Sequence, residues 1–431
     1  MNPASAAGGA EGALGVCGIR ERCAAGTLTA LVASEACLAR VDAVDAQVQA
    51  WAHLDRGLVL AQARAVDARL DRGPLHGVPV GVKDIIDTAD MPTENGTVLH
   101  AGRRPQRDAE VVARLREAGA VIFGKTVTTE LATYAPGKTR NPHDPAHTPG
   151  GSSSGSAAAV AAGMVPAAIG TQTNGSVIRP AAFCGVVGYK PGFGLIPRDG
   201  ILRQSPTLDQ AGVFARSVED AARLAAVLIG GEAGGQLIGA AADAAAPKLA
   251  WIRTAAWPRA AEDTRAAFEG LARRLALREL VMPEAAAGAW DWQRTVMEAE
   301  IAENFAGEWE QGRDRLSASL CAQIERGRAL APQAVAAARA RIGEVNAGFD
   351  PLFDRVDALV TPAVPGTAPR GLDSTGDPVF CTLWTFAGLP AITLPLLSGA
   401  NGLPLGVQLV ARRGNDAGLI RAAAALWRNL R

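Results

Sequence analysis

The stretch Gly150-Gly-Ser-Ser-Ser-Gly-Ser-Ala-Ala-Ala-Val-Ala-Ala-Gly-Met-Val-Pro-Ala-Ala-Ile-Gly-Thr-Gln-Thr-Asn-Gly-Ser176 carries most of the architectural signal in this 431-residue chain. A Gly/Ser loop opens it and residues 157–163 resume as a small apolar helix. Val165–Ile169 reads as a strand, and a polar Gly-rich turn closes the stretch at 170–176. Similar units lie on either side. Gly77-Val-Pro-Val-Gly-Val-Lys83 alternates as a short strand ending on a lysine. Ala109–Ala118 reads as a helix stopped by Gly119, and Val121–Phe123 as a buried strand. Apolar spacing predicts helices within 18–70, around Leu28–Val41 and Leu58–Leu70, while 135–156 is a long Pro-, Gly- and Ser-rich loop. Residues 215–230 read as helical and 258–350 as mostly helical. Ala358–Thr361, Ala391–Pro395 and Gly406–Ala411 read as strands, followed by a closing helix, Ala417–Leu430. Repeated strand–loop–helix units predict an α/β fold around a largely buried sheet. No repeat or linker divides the chain, so one domain, 1–431, is expected. It comprises a helical segment over 1–75, an α/β core over 76–230 and 355–431, and a mostly helical covering region over 235–350.

Hydrophobic residues make up 48% and charged residues 20%, with 43 basic and 43 acidic side chains. That balance gives no field to attract nucleic acid or anionic lipid, so the expected partner is a small molecule, with no nucleic acid and no membrane. No 18-residue apolar segment suggests a membrane span, and Met1–Val16 lacks the basic start and apolar run of a signal peptide. Cys17, Cys23, Cys37, Cys184, Cys321 and Cys381 form no CxxC, which fits free thiols in a reducing cytoplasm. His143 and His147 have an H-x3-H spacing, but the prolines around them forbid the helix that such metal sites use, so no metal or other cofactor is expected. Only five lysines occur: 83, 125, 138, 190 and 248. Unlike arginine, a buried lysine can lose its proton.

Three motifs match a pattern without its context. Gly119-Ala-Val-Ile-Phe-Gly-Lys125-Thr126 has the letters of a phosphate-binding loop, but its apolar middle is a strand, leaving Lys125 as a strand-end residue. Gly151-Ser-Ser-Ser-Gly155 matches a nucleophile elbow, yet a proline-rich loop precedes it instead of an apolar strand. A Gly/Ser loop opening a helix at 150–157 could bind an anion, which leaves the next stretch unexplained.

The informative constellation joins Lys83, Gly150-Gly-Ser152-Ser-Ser-Gly-Ser156 and Gly170-Thr-Gln-Thr-Asn-Gly-Ser176-Val-Ile-Arg179-Pro-Ala-Ala-Phe-Cys-Gly185. Here the chain resembles the amidase signature family, over roughly residues 20 to 431. The two serines lie 24 positions apart and the lysine follows the strand in the family's G-V-P-x-x-V-K-D pattern. Ser205-x3-Asp209-x2-Gly212, Gly188-Tyr-Lys-Pro191 and Pro404-Leu-Gly-Val-Gln408 agree with it. The resemblance implies a large central mixed β-sheet flanked by helices on both faces. It also implies a catalytic triad of Lys83, Ser152 and Ser176, with a cis Gly151–Ser152 peptide and Gly151 at the substrate. The residue types suit that chemistry. A serine hydroxyl needs a base, and with no well-placed histidine a lysine serves only when burial keeps its amine neutral. Ser152 would relay the Ser176 proton to Lys83, and the turn Thr173-Asn174-Gly175 would offer backbone N–H groups to the oxyanion, typically a large contribution to rate. Lys190, Asp209 and Arg140 read as ion pairs or loop anchors.

Two departures bear on substrate. Gln172 stands where many members carry a carboxylate, and Asn174 where glycine is common. Arg179 follows the nucleophile by three places. With Gly81-Val-Lys-Asp-Ile-Ile-Asp-Thr88 and Ser374-Thr-Gly-Asp-Pro378 this resembles the bacterial malonamidase branch. In that branch such an arginine would grip a substrate carboxylate. The expected function is hydrolysis of a small carboxamide through a seryl acyl-enzyme, malonamate being one such substrate, by a homodimer. The alternatives are the glutamine-hydrolysing A subunit of a transfer-RNA-dependent amidotransferase and a non-catalytic nucleotide-binding protein.

Overall fold

A computed structural model describes residues 14–243 and 245–430. Of the leaderless opening read at Met1–Val16, residues 1–13 lie outside the described residues. Eleven strands occur among those described: β1 (Trp51–His53), β2 (Pro79–Lys83), β3 (Val121–Thr126), β4 (Ala167–Gln172), β5 (Val187–Lys190), β6 (Gln210–Ala215), β7 (Leu249–Ile252), β8 (Arg278–Leu280), β9 (Ala358–Pro362), β10 (Ala391–Ser398) and β11 (Pro404–Val410). They form one sheet in the order β1-β3-β2-β4-β6-β5-β10-β11-β9-β7-β8. The sheet is mixed: β2 runs parallel to β3 and β4, β7 runs parallel to β8 and β9, and the remaining pairs are antiparallel.

Successive strand residues enter opposite cores, as the pleat requires. Val80, Val82, Ile122 and Ile169 pack on one face, while Val121, Phe123 and Ala168 pack on the other. The first core takes side chains from helices Val16–Ala24, Glu110–Glu117, Val218–Ile229, Gly231–Ala242 and Asp416–Leu430. The opposite face is shared by two clusters, one under helices Ala30–Val48, Arg56–Asp67 and Ser154–Ala161, the other under Ala289–Asn304, Ala318–Arg328, Pro332–Phe353 and Val379–Phe386. Burial on both faces explains why these strands read as continuous apolar runs.

Several elements differ from the sequence expectation. β1, β5, β6, β7 and β8 were not anticipated; β1, β7 and β8 are three or four residues long and sit at or near a sheet edge, too short to show a period, whereas β5 and β6 lie in the middle of the sheet. The helix Val379–Phe386 is buried along its whole length and so has no polar face to betray it. The helix expected at 157–163 starts earlier, at Ser154. β3 spans Val121–Thr126, so the phosphate-loop letters lie on a buried strand, with Lys125 against Asp84 at 3.3 Å. No helix of the described residues is long and apolar enough to cross a membrane.

Candidate active site

β2 and β4 are parallel neighbours, Val82 opposite Ile169, so Lys83 at the end of β2 and Thr171 on β4 emerge side by side. Lys83 is fully buried, and its Nζ lies 2.7 Å from Ser152 Oγ and 2.9 Å from Thr171 Oγ1. Burial drives its pKa well below the ordinary 10.5, opposed by the negative charge of Asp209. A neutral amine has two N–H donors and one lone pair, so it can accept from one hydroxyl while donating to the other.

Ser152 sits just before the helix Ser154–Ala161, and the Gly151–Ser152 peptide is cis. The loop is held against the sheet by backbone contacts. Thr129 N donates to Ser152 O (3.2 Å) and Gly155 N to Val127 O (2.9 Å). A Cβ on Gly155 would lie 2.3 Å from Ala50 O and 2.4 Å from Val127 N, so only glycine lets the helix approach this closely.

Ser176 lies in the turn between β4 and the helix Ile178–Cys184, 8% exposed. Gln172 explains the departure noted in the sequence. Its Oε1 accepts from Val177 N (2.8 Å) and Ile178 N (3.0 Å), as a carboxylate would. Its Nε2 donates to Thr385 Oγ1 (2.8 Å), which a carboxylate could not do. Thr385 Oγ1 in turn donates to Asn174 O (2.6 Å), Gln293 Nε2 to Thr173 O (3.3 Å), and Arg179 N to Gly175 O (2.9 Å). Three successive carbonyls of the turn are therefore engaged. In trans peptides the N–H groups that follow them, those of Asn174, Gly175 and Ser176, point the opposite way.

Arg179 is 1% exposed. Its Nη2 donates to Gly151 O (2.8 Å) and Thr375 Oγ1 (3.0 Å), while Nε and Nη1 are buried with no hydrogen-bond partner among the described residues. A small cavity is lined by Tyr134, Asn174, Ser176, Arg179, Gln204 and Met297, among others. The structure thus brings Ser176, Arg179 and the 173–175 turn to one cavity, and Lys83 to Ser152.

Reasoning from the sequence missed Thr171, Tyr134, Gln293 and Thr385. Thr171 was legible in principle, since it lies two residues beyond the Lys83 strand's neighbour in register; the others reach the site from distant segments. Asp209 is a loop anchor that accepts from Thr173 Oγ1 (2.6 Å) and from Gln204 N and Ser205 N (both 2.9 Å), with burial raising its pKa to about 6. Lys190 is buried against Gln210 Oε1 and the carbonyls of Pro191 and Leu389, and Arg140 Nη1 donates to Pro145 O. His143 Nε2 contacts Cys184 O at 2.9 Å and His147 Nδ1 contacts Asp144 at 3.0 Å, each within loop packing.

Comparison with known proteins adds three findings. A sequence model of the family described as Amidase matches residues 33–420. The A subunit of the glutamyl-tRNA(Gln) amidotransferase of Chloroflexus aggregans (strain MD-66 / DSM 9485) is 35% identical, over 94% of each chain. Among solved structures, a chain from work on "an unexpected vestigial protein complex" that "reveals the evolutionary origins of an s-triazine catabolic enzyme" superposes with TM-score 0.89 at 27% identity, covering 96% of this chain and 98% of that one. The native peptide amidase from Stenotrophomonas maltophilia superposes with TM-score 0.82 at 30% identity, over 97% of each chain.

The relatives correct one expectation. Balanced charge pointed to a small-molecule substrate with no nucleic acid and no membrane, and the family resemblance to a homodimer. Relatives matched along almost the whole chain are instead named as one subunit of an enzyme whose name carries a transfer RNA. Net charge is a sum over the whole surface. It does not report on local patches or on a partner subunit that supplies its own charge.

Proposed function

The chain belongs to the amidase family and is an amide-hydrolysing enzyme, and from that premise we propose that it releases ammonia from a carboxamide that also bears a carboxylate, glutamine foremost, as the amide-cleaving subunit of an assembly that amidates glutamyl-tRNA(Gln). The observation that carries the reading is the buried Lys83 amine 2.7 Å from Ser152 Oγ. In this scheme Ser176 Oγ attacks the amide carbon while its proton passes to Ser152, whose own proton goes to neutral Lys83. N–H groups of the Thr173-Asn174-Gly175 turn stabilise the oxyanion, a role supported for those of Asn174 and Gly175 by the engaged carbonyls of Thr173 and Asn174 on the other side of the same peptides. The C–N bond then breaks as Lys83 returns a proton through Ser152 to the leaving ammonia. Water opens the acyl ester by the same relay. Arg179 Nε and Nη1, buried and unpartnered, would receive the carboxylate, and Gly151 O fixes that guanidinium from behind. Six free cysteines support a reducing, cytoplasmic setting.

A second reading is a hydrolase of a shorter acid amide such as malonamate, acting without partner subunits. The three-residue step from Ser176 to Arg179 and the small cavity that both residues line favour it. Hydroxylamine trapping tests what the two readings share. Glutamine or malonamate should yield a hydroxamate, propionamide far less, and Ser176→Ala none from any amide. Equal yields from malonamate and propionamide, unchanged in Arg179→Ala, would remove the carboxylate from the proposal.

A further inference from the structure

Tyr134 enters the cavity from an unusual backbone. Leu131 (φ 44°) and Ala132 (φ 59°) are consecutive non-glycine residues in the left-handed region, which side chains with a Cβ rarely adopt. The surroundings compel them: Leu131 N donates to Asn95 O (2.9 Å), Ala132 N to Thr129 O (3.1 Å), and Thr129 Oγ1 to Thr133 O (2.8 Å). Such conformations concentrate where a side chain must be placed for function. Here the side chain delivered is Tyr134, lining the cavity that holds Ser176 and Arg179.

The hydrogen-bond roles around its hydroxyl can be assigned. Thr382 Oγ1 lies 2.8 Å from Asn174 Oδ1 and 3.1 Å from Pro378 O, and the shorter contact makes Oδ1 the acceptor. That turns Asn174 Nδ2 toward Tyr134, 3.1 Å from its oxygen. The phenol oxygen thus accepts from Asn174, and its own proton is not taken up by Asn174. It shares the cavity with two buried guanidinium N–H groups that lack partners. Uncommitted donors gathered in one cavity call for an acceptor with several lone pairs.

We propose that Tyr134 donates its hydroxyl proton to the substrate carboxylate held by Arg179, so that the two form a clamp that selects amides with an acid group. The inference rests on the carboxylate reading given under the proposed function. Tyr134 is then a specificity residue of this chain, and Asn174 has a double role: its backbone belongs to the oxyanion turn and its side chain orients the phenol.

Kinetics on matched pairs separates the possibilities. For malonamate against propionamide, Tyr134→Phe should raise KM for malonamate about tenfold or more, the range for a hydrogen bond to a charged group, and lower the malonamate-over-propionamide ratio of kcat/KM by the same factor. Arg179→Gln reports on the underlying reading. If wild type shows no preference for malonamate, the carboxylate reading fails. If the preference disappears in Arg179→Gln yet persists in Tyr134→Phe, only the clamp fails. An equal fall in kcat for both amides in Tyr134→Phe would make the residue a mere support for the turn and overturn the proposal.

A measurement on the unaltered enzyme stands beside the variants. The chain has two tyrosines, and Tyr189 OH is engaged by Asp416 Oδ1 at 2.6 Å. With tyrosine labelled at the ring carbon that bears oxygen, malonate should shift one of two NMR resonances and n-propanol, which has no acid group, neither. A Tyr189→Phe sample assigns them, and a Tyr134 signal indifferent to malonate would also refute the clamp.

Discussion

At the scale of single residues, the proposed chemistry depends on a lysine that burial denies its charge. Lys83 meets two hydroxyls and no carboxylate at contact distance, so desolvation dominates and the neutral amine is favoured. The working form is the deprotonated one. Activity should therefore fall as pH drops through the lowered Lys83 pKa and stay level above it, with the limb well below 10.5. Lys83→Met should reduce kcat/KM by roughly 10² to 10⁴, on the order expected for losing a general base. Lys83→Arg should be as inactive, because a guanidinium keeps its proton. A pH–rate profile of wild type and both variants checks this; substantial activity in Lys83→Arg would point to another base. The lysine and both serines were legible because their motif is local. Thr171, Tyr134 and the orientation of Arg179 were not, because they depend on which strands and loops become neighbours.

At the scale of elements, the helix Ser154–Ala161 shows why a Gly/Ser run can hide a helix start. Ser156 Oγ lies 3.0 Å from Ile169 O and 2.7 Å from Thr126 Oγ1, and Ser154 Oγ donates to Val127 O (3.2 Å). These serines read as loop by propensity, yet neighbouring strands satisfy their hydroxyls inside the core. Gly155 holds the close approach. Gly155→Ala would drive a methyl into Ala50 O and Val127 N and push the helix, with Ser152 before it, off β3. Overpacking of this kind costs about 1–3 kcal/mol. Displacing Ser152 should lower kcat at least as much as it lowers the midpoint of chemical denaturation. Thermal or denaturant melts beside kcat would check this, and an unshifted melt would contradict the packing argument.

At the scale of the molecule, one mixed sheet of eleven strands, among the described residues, joins segments from 51 to 410, and residues drawn from between 132 and 297 line the cavity. The relatives' place in an amidotransferase suggests a test of the whole particle. Combined with the other subunits of a glutamyl-tRNA(Gln) amidotransferase, the chain should support glutamine-dependent amidation of glutamyl-tRNA(Gln), and Ser176→Ala should not. Brisk hydrolysis of malonamate by the chain alone, with no amidation in the mixture, would favour the independent hydrolase. The apolar runs of the strands and the short motifs that hold Lys83, Ser152 and Ser176 were readable from the chain alone, because both are written in adjacent residues. Which hydroxyls the amine meets, which guanidinium atoms stay unpartnered and where Tyr134 points were settled by long-range packing. Burial and hydrogen-bond satisfaction depend on neighbours brought from far along the chain, and no local pattern encodes them.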